Sequence, residues 1–383
     1  MNTNQEKKQV VIAGIGMLPV GEHWDLSLRT LGARAVRKAL ADSGNLKPDA
    51  IYIGNGLANI LSHQANLGAL ISDEAGFSGI ESCTFEAAGA SGAAAFRAAC
   101  LAVQSGLIDV AVALGVEKIT DCDGSTALTA QDLILNYEFE GITGLTVAAG
   151  AAIIAQRYIS EHLLDHSIFQ NIALQSYQHA QDNPNAMYRN GLTAAMYQKQ
   201  SIKNDPLGLF DISSLADGAA ALVVTREELI PVESREEMVR VLGSANAIAP
   251  LSLHDRHQLL QYSAASQSAA SALRKAGMSL NEVDLFELWD ANSIDTVLSM
   301  EAIGLALPGK GWQTENIILN SMGGCLGRGN PLGASGAYQL AEAVLQLRGQ
   351  AGACQIAQLP KRALVQALGG LGSTAITHIL GHG

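Results

Sequence analysis

Apolar and polar positions along the chain fall into short continuous runs separated by stretches of helical period. Residues 10–15 form an apolar run of strand length. Gly14-Ile15-Gly16 then reads as a glycine turn, without the further glycine of a dinucleotide-binding loop. Leu28, Leu31, Ala35 and Leu40 share one helical face over 28–43, and Gly44 follows as a stop. Residues 50–53 read as a strand, 61–75 as a helix, 80–88 as a strand and 90–104 as a helix of small residues. Residues 110–115 carry no polar side chain, the pattern of a strand inside a sheet. Between the 80–88 strand and the next helix lies Phe85-Glu86-Ala87-Ala88-Gly89-Ala90-Ser91-Gly92. A sharp strand-to-helix turn faces a helix N-terminus, whose free N–H groups stabilise anions, thiolates and carbonyl oxygens. A nucleophile is expected there, and the residue is Gly89, which has no side chain.

The pattern changes over 118–205, which is rich in Asn, Gln, Tyr and His. Helices are predicted at 146–162 and 167–181, and Asn183-Pro184-Asn185 breaks the run. This segment reads as an insertion lying over the core. Residues 216–224 return to a core strand, and 226–237 form a charged surface link. A second half then repeats the first. Arg37-Lys38-Ala39 and the following Asp49-Ala50-Ile51 are echoed by Arg274-Lys275-Ala276 and Asp284-Leu285-Phe286. Gly89-Ala90-Ser91-Gly92-Ala93 is echoed by Gly333-Ala334-Ser335-Gly336-Ala337, and buried strands at 110–115 and 363–372 follow. The expected fold is α/β, with two layered halves built on parallel crossover connections about a pseudo-two-fold axis. Residues 1–117 and 206–237 make the first half, 118–205 the covering loop domain and 238–383 the second half. The site is expected where the two glycine turns meet.

Composition narrows the class of protein. A chain of 383 residues exceeds one ordinary core. Hydrophobic residues make up 48% and charged residues 16%, as in a well-buried globular protein. The net charge of −12 argues against a nucleic-acid or anionic-membrane partner. The five cysteines include no C-x-x-C pair, which points to a reducing compartment. The polar stretch 1–9 and the short apolar run after it do not read as a signal peptide, and no apolar run reaches membrane-spanning length. A cytoplasmic location is expected.

The motifs together resemble the thiolase superfamily, and within it the bacterial and archaeal sterol-carrier-protein-type thiolases. They are Gly115-Val116-Glu117-Lys118, Asp217-Gly218-Ala219, Asn320-Ser321-Met322-Gly323-Gly324, Gly329-Asn330-Pro331-Leu332-Gly333 and Gly369-Gly370-Leu371-Gly372. The resemblance spans nearly the whole chain. It implies two αβαβα halves, a covering loop domain, a homodimer and a coenzyme A thioester as ligand, with no covalently bound cofactor and no metal. The catalytic residues depart from the pattern together. Gly89 stands where the family has its acylated cysteine, so the covalent step lacks its nucleophile. Asn330 replaces the histidine that deprotonates that cysteine, and an amide moves no proton near neutral pH. Trp289 replaces the oxyanion-hole donor, with a bulk suited to filling the pocket. Ala367 stands at the second cysteine position.

Other groups near the expected site are Cys325, in the glycine-rich loop with no base in view, and the carboxylates Glu86, Glu287 and Asp290. Cys83 reads as a buried core thiol, Ser91 and Ser335 as helix starts, and His378 as an ordinary strand position. His254 and His257 lack further metal-ligand spacing. Three readings stay open. The chain is an acyltransferase by family with altered catalysis. It is a retro-aldolase on a CoA thioester, using Asn330 in the hole, Asp290 or Glu86 as base and an OB-fold protein as partner. Or it is a non-catalytic acyl-CoA-binding scaffold paired with a thiolase, ketosynthase or OB-fold protein. Trp289 filling the space beside Gly89 favours the scaffold; a tunnel from 118–205 to Gly89 and Asn330 favours an enzyme.

Overall fold

The computed structural model describes residues 8–315 and 317–382. Of the polar N-terminal stretch, residues 1–7 lie outside the described residues. The first half runs β1 (Val10–Met17), α1 (Leu28–Asp42), β2 (Ala50–Gly54), α2 (Ala58–Leu61), α3 (Leu67–Ala75), β3 (Glu81–Phe85), α4 (Ser91–Ser105) and β4 (Val110–Glu117). The covering segment holds α5 (Gly124–Asp132), α6 (Val147–His162), α7 (Gln170–Ala180), α8 (Ala194–Gln198) and a small ribbon of β5 (Ile202–Asn204) and β6 (Leu207–Gly208). The chain then makes β7 (Gly218–Arg226), β8 (Val239–Ile248), α9 (Ser263–Ala276), β9 (Leu285–Leu288) and α10 (Ser293–Ile303). It ends with α11 (Gly324–Arg328), α12 (Ser335–Leu347), β10 (Arg362–Gly369) and β11 (Thr374–Gly381).

The large sheet has the order β3-β2-β4-β7-β1-β8-β11-β10-β9. Apart from the extra edge strand β3, its order and pairing directions repeat on either side of the β1/β8 junction, where Val11 faces Arg240 and Ile12 faces Val239. Among the described strands, only β2 with β3 and β4, and β9 with β10, pair in parallel; the other pairs are antiparallel. The sheet is therefore mixed rather than built on parallel crossovers alone. The repeat extends to single atoms. Asp49 accepts hydrogen bonds from the N–H groups of Asp109 and Val110 and so caps β4; Asp284 accepts from Lys361 and Arg362 and caps β10. Gly44 and Gly277 end α1 and α9 at φ +75 and +67, a conformation glycine adopts without steric cost.

Helices α4 and α12 pack on each other between the two halves of the sheet. A Cβ on Gly92 would lie 2.9 Å from the Ala337 nitrogen, and one on Gly336 2.9 Å from the Ala93 nitrogen. The reciprocal contact brings the starts of both helices, and so both glycine turns, to one place. The surrounding core buries Ile12, Phe96, Leu222, Tyr338, Val344 and Val365. Helix α1 covers the outer face of β1, β4 and β7, and α9 covers β8 and β11.

Several expected elements differ. Gly14 and Gly16 lie inside β1, where a Cβ would strike the backbone of Ala39; they allow close helix–sheet approach rather than a turn. The helix expected over 61–75 is split into α2 and α3, with His63 and Asn66 left-handed between them. The expected 80–88 strand ends at Phe85 and is a partly exposed edge, so Cys83 is exposed rather than buried. The 363–372 strand stops at Gly369, and left-handed Gly370 and Gly372 turn it back as β11. Among the described residues no helix is long and apolar enough to cross a membrane.

Candidate functional site

The first glycine turn is held by its own short-range bonds. Ser91 Oγ accepts from the Ala87 N–H at 2.9 Å and donates to the Ala88 carbonyl at 2.7 Å. Glu86, exposed, accepts from the Ala88 N–H at 2.6 Å. Ala88 sits at φ +50, a strained conformation for a residue with a Cβ, next to Gly89. The second turn repeats the device, with Leu332 at φ +25 before Gly333. The two turns pack against each other. Both serines begin their helices, as the sequence indicates.

Glu117 ties the second turn to the first half. Its Oε2 accepts from the Gly56 and Gly333 N–H groups at 2.8 and 3.0 Å, and its Oε1 accepts from Leu57 N–H and the Asn55 amide. Burial raises this carboxyl to about 7 against those stabilising bonds. Nothing in the spacing of the Gly115–Lys118 motif points to this role.

Gly89 has a φ outside the left-handed region, so its backbone does not require glycine. Space does. A Cβ built on Gly89 would lie 2.1 Å from Trp289 Cη2, 2.5 Å from Cζ2 and 2.7 Å from the Leu368 carbonyl. The buried indole lies where the side chain of residue 89 would begin. It belongs to an apolar cluster with Leu368, Leu371, Tyr262 and Ile294. Ala367 lies in a smaller cluster with Ala90, Ala93 and Ile376, beneath the first turn.

Asn330 is fully buried and satisfied on both sides of its amide. Its Nδ2 donates to Ser213 Oγ at 3.0 Å, and its Oδ1 accepts from Ser335 Oγ at 2.8 Å. Asp290 caps the short helix α11, accepting from the Cys325 N–H at 2.6 Å; burial lifts its carboxyl to about 6. Cys325 is buried with Arg328 Nη2 3.9 Å from its sulfur; this cation, three residues along the same short helix, corrects the expectation that nothing basic stands near the thiol. Burial nevertheless pushes the thiol well above its usual range, with Asp290 adding to the effect. Arg328 pairs with Glu342 and stacks 5.0 Å from the Tyr338 ring. Glu287, held by Ser321, is raised to about 8 by burial and then by Glu342. These groups form a buried polar layer behind the turns.

A cavity of about 500 Å³ opens between α5, α6 and the 212–215 and 291–292 loops. Its walls include Ile119, Ala127, Val147, Ser213, Ala291 and Asn292. It reaches the hydroxyl that Asn330 bonds, but Gly89 and Trp289 are not among its walls. A larger cavity of about 780 Å³, between α6, α10 and 256–267, lies away from both turns.

Two facing strand-to-helix turns at the junction of repeated halves define a thiolase-type architecture. Residues 10–205 match the thiolase N-terminal domain and residues 245–382 the thiolase C-terminal domain-like family, so the chain belongs to the thiolase family. It is 34% identical to an acetyl-CoA acetyltransferase of Methanothermobacter thermautotrophicus, over 97% of this chain and 99% of that protein. It is 29% identical to the benzoylsuccinyl-CoA thiolase subunit BbsB of Thauera aromatica, over 95% of each. A solved Ltp2-ChsH2(DUF35) aldolase shares the fold with a TM-score of 0.80, 22% identity and 98% coverage of both chains.

Proposed function

We propose that this chain is a thiolase-family subunit without the covalent acyl-transfer step, holding an acyl-CoA and working beside a second protein. One observation carries the reading: the Trp289 indole stands where a nucleophilic side chain on residue 89 would begin. Without a nucleophile no acyl-enzyme forms, and Asn330 has no proton to relay. The buried Cys325 thiol is held protonated and does not replace it. The mainly apolar cavity that Ser213 helps to line is of a size for a thioester arm. The one-sided pairing of edge strand β3 supports a homodimer built by strand addition, and five cysteines without a C-x-x-C pair support a cytoplasmic location. A relative named as a thiolase subunit supports work in an assembly. The test is thiolysis of acetoacetyl-CoA by the isolated chain with free CoA, expected at background. Turnover that Cys325→Ala abolishes overturns the reading.

A second reading, retro-aldol cleavage of a CoA thioester with an OB-fold partner, draws on the cavity's approach to Asn330 through Ser213. It requires a base. Asp290 is committed to capping α11, and Glu86 to its own turn. Cleavage of a 3-hydroxyacyl-CoA that Asp290→Asn or Glu86→Gln abolishes, with the fold retained, would favour it.

A further inference from the structure

Helix α4 leaves the first glycine turn at its start and borders a separate cavity further along. This cavity holds about 370 Å³ between α4, the chain entering β1, residues 241–244 of β8 and the end of α9. Its walls include Lys8, Arg97 and Lys275 and, among the described residues, no carboxylate. The chain has 36 Asp and Glu against 24 Lys and Arg, so such walls run against its composition. The 500 and 780 Å³ cavities do not, with Glu22 in the first and Glu161 and Glu301 in the second.

Two of the cations meet at one residue. Arg97 Nη1 donates to Ser244 Oγ at 2.8 Å, and Lys275 Nζ donates to the Ser244 carbonyl at 2.8 Å. The serine is neutral, so these two bonds hold like charges close together. The lysines have an ordinary reason for their places. Lys8 Nζ would lie 2.6 Å from a Cβ on Gly106, the C-cap of α4, and Lys275 is in the last turn of α9, where cations suit the helix dipole. Arg97 has no such reason, because it lies well inside α4. It is half-buried, and among the described residues its guanidinium meets Ser244 and no carboxylate. Burial presses it below its ordinary value. Its field reaches the buried His378, which faces Ser244 across the β8/β11 pair and is lowered to about 3 by burial and then by Arg97. A guanidinium with one neutral acceptor keeps most of its N–H donors for another.

We propose that this cavity is a phosphoryl-binding site, with Arg97 on the phosphate oxygens, Lys8 and Lys275 adding positive field, and Val10, Leu101 and Val241 as apolar walls for an organic carrier. A guanidinium fork with lysines beside it is a donor set that phosphate takes, and the volume lies in the range of small-ligand sites. The cavity borders β1, four strands from edge strand β3, so self-pairing through that edge leaves it open. The site is separate from the thioester cavity and does not rest on the acyl-CoA reading. The test titrates inorganic phosphate and phenyl phosphate onto the full chain by isothermal calorimetry. Both are expected to bind, more weakly as salt is added, and about tenfold more weakly to Arg97→Gln. Gln104→Glu sets a carboxylate on an exposed part of the wall and removes no bond, so it reads the site even where Arg97→Gln does not fold. It should weaken both probes about fivefold, the size of one like-charge contact in water. Phenyl phosphate binding tighter than phosphate marks a phosphorylated small molecule as the ligand, and equal affinities mark free phosphate; either supports the site. No binding of either probe at millimolar concentration, or binding that a folded variant of the two leaves unchanged, overturns it.

Discussion

Gly89→Ala isolates the contact on which the functional reading rests. The added methyl would stand 2.1 Å and 2.5 Å from two atoms of the Trp289 ring, so the ring or the turn must move. Overpacking of this kind costs about 1–3 kcal/mol. The backbone at Gly89 suits alanine, so no conformational strain adds to that figure. The loss of glycine freedom in the unfolded chain returns about 0.4–1 kcal/mol. From the middle of those ranges a net destabilisation of about 1.3 kcal/mol is expected. In a Trp289→Leu background the two nearest ring atoms are gone, while the Leu368 carbonyl at 2.7 Å still crowds the methyl. The same substitution there should cost at least about 1 kcal/mol less, a coupling typical of touching residues. Denaturant unfolding followed by circular dichroism on the four proteins reads the cycle. Gly89→Ala as stable as the wild type, or equally costly in both backgrounds, would refute the placement of the indole.

Arg328→Met should destabilise by about 3–5 kcal/mol, because Glu342 is left as an unpaired buried charge; thermal melting reads this. Glu117→Gln sets an amide N–H₂ against backbone donors at Gly56 and Gly333 or Leu57, and should cost about 1–3 kcal/mol in the same assay. Stability should also depend on pH. Burial holds Glu287 up at about 8 and Glu117 at about 7, so the folded state binds more protons than the unfolded between about 4.5 and 8, and stability falls as pH rises through that window. His378, lowered to about 3 by burial, acts in the opposite sense below its usual 6.5, so the clean range is pH 6.5 to 8. The melting temperature should fall across that range, and Glu287→Gln should flatten the fall.

The altered positions were legible because turn motifs are contiguous in sequence. Gly89, Asn330 and Trp289 can each be located by the residues beside them. The repeat was legible for the same reason, through Gly44 with Gly277 and Ser91 with Ser335. What escaped depends on contacts between distant segments. That Trp289 fills the space beside Gly89 was raised from the sequence as one alternative, and only packing across 200 residues decides it. The same holds for Glu117 with Gly333. Arg328 lies only three residues from Cys325, and what the sequence did not show is that the short helix α11 buries both side chains together. Gly14 and Gly16 look like a turn until α1 is laid on them. The length of β3 was overread because Ala88 breaks extended geometry without a glycine to announce it.

A chain without a nucleophile never carries an acyl group. Intact-protein mass spectrometry after incubation with acetyl-CoA or acetoacetyl-CoA measures that directly. The predicted result is an unchanged mass, for the wild type and for Cys325→Ala alike. An acetyl adduct on the wild type that is lost in any single-residue variant would contradict the account, and would name the nucleophile it denies.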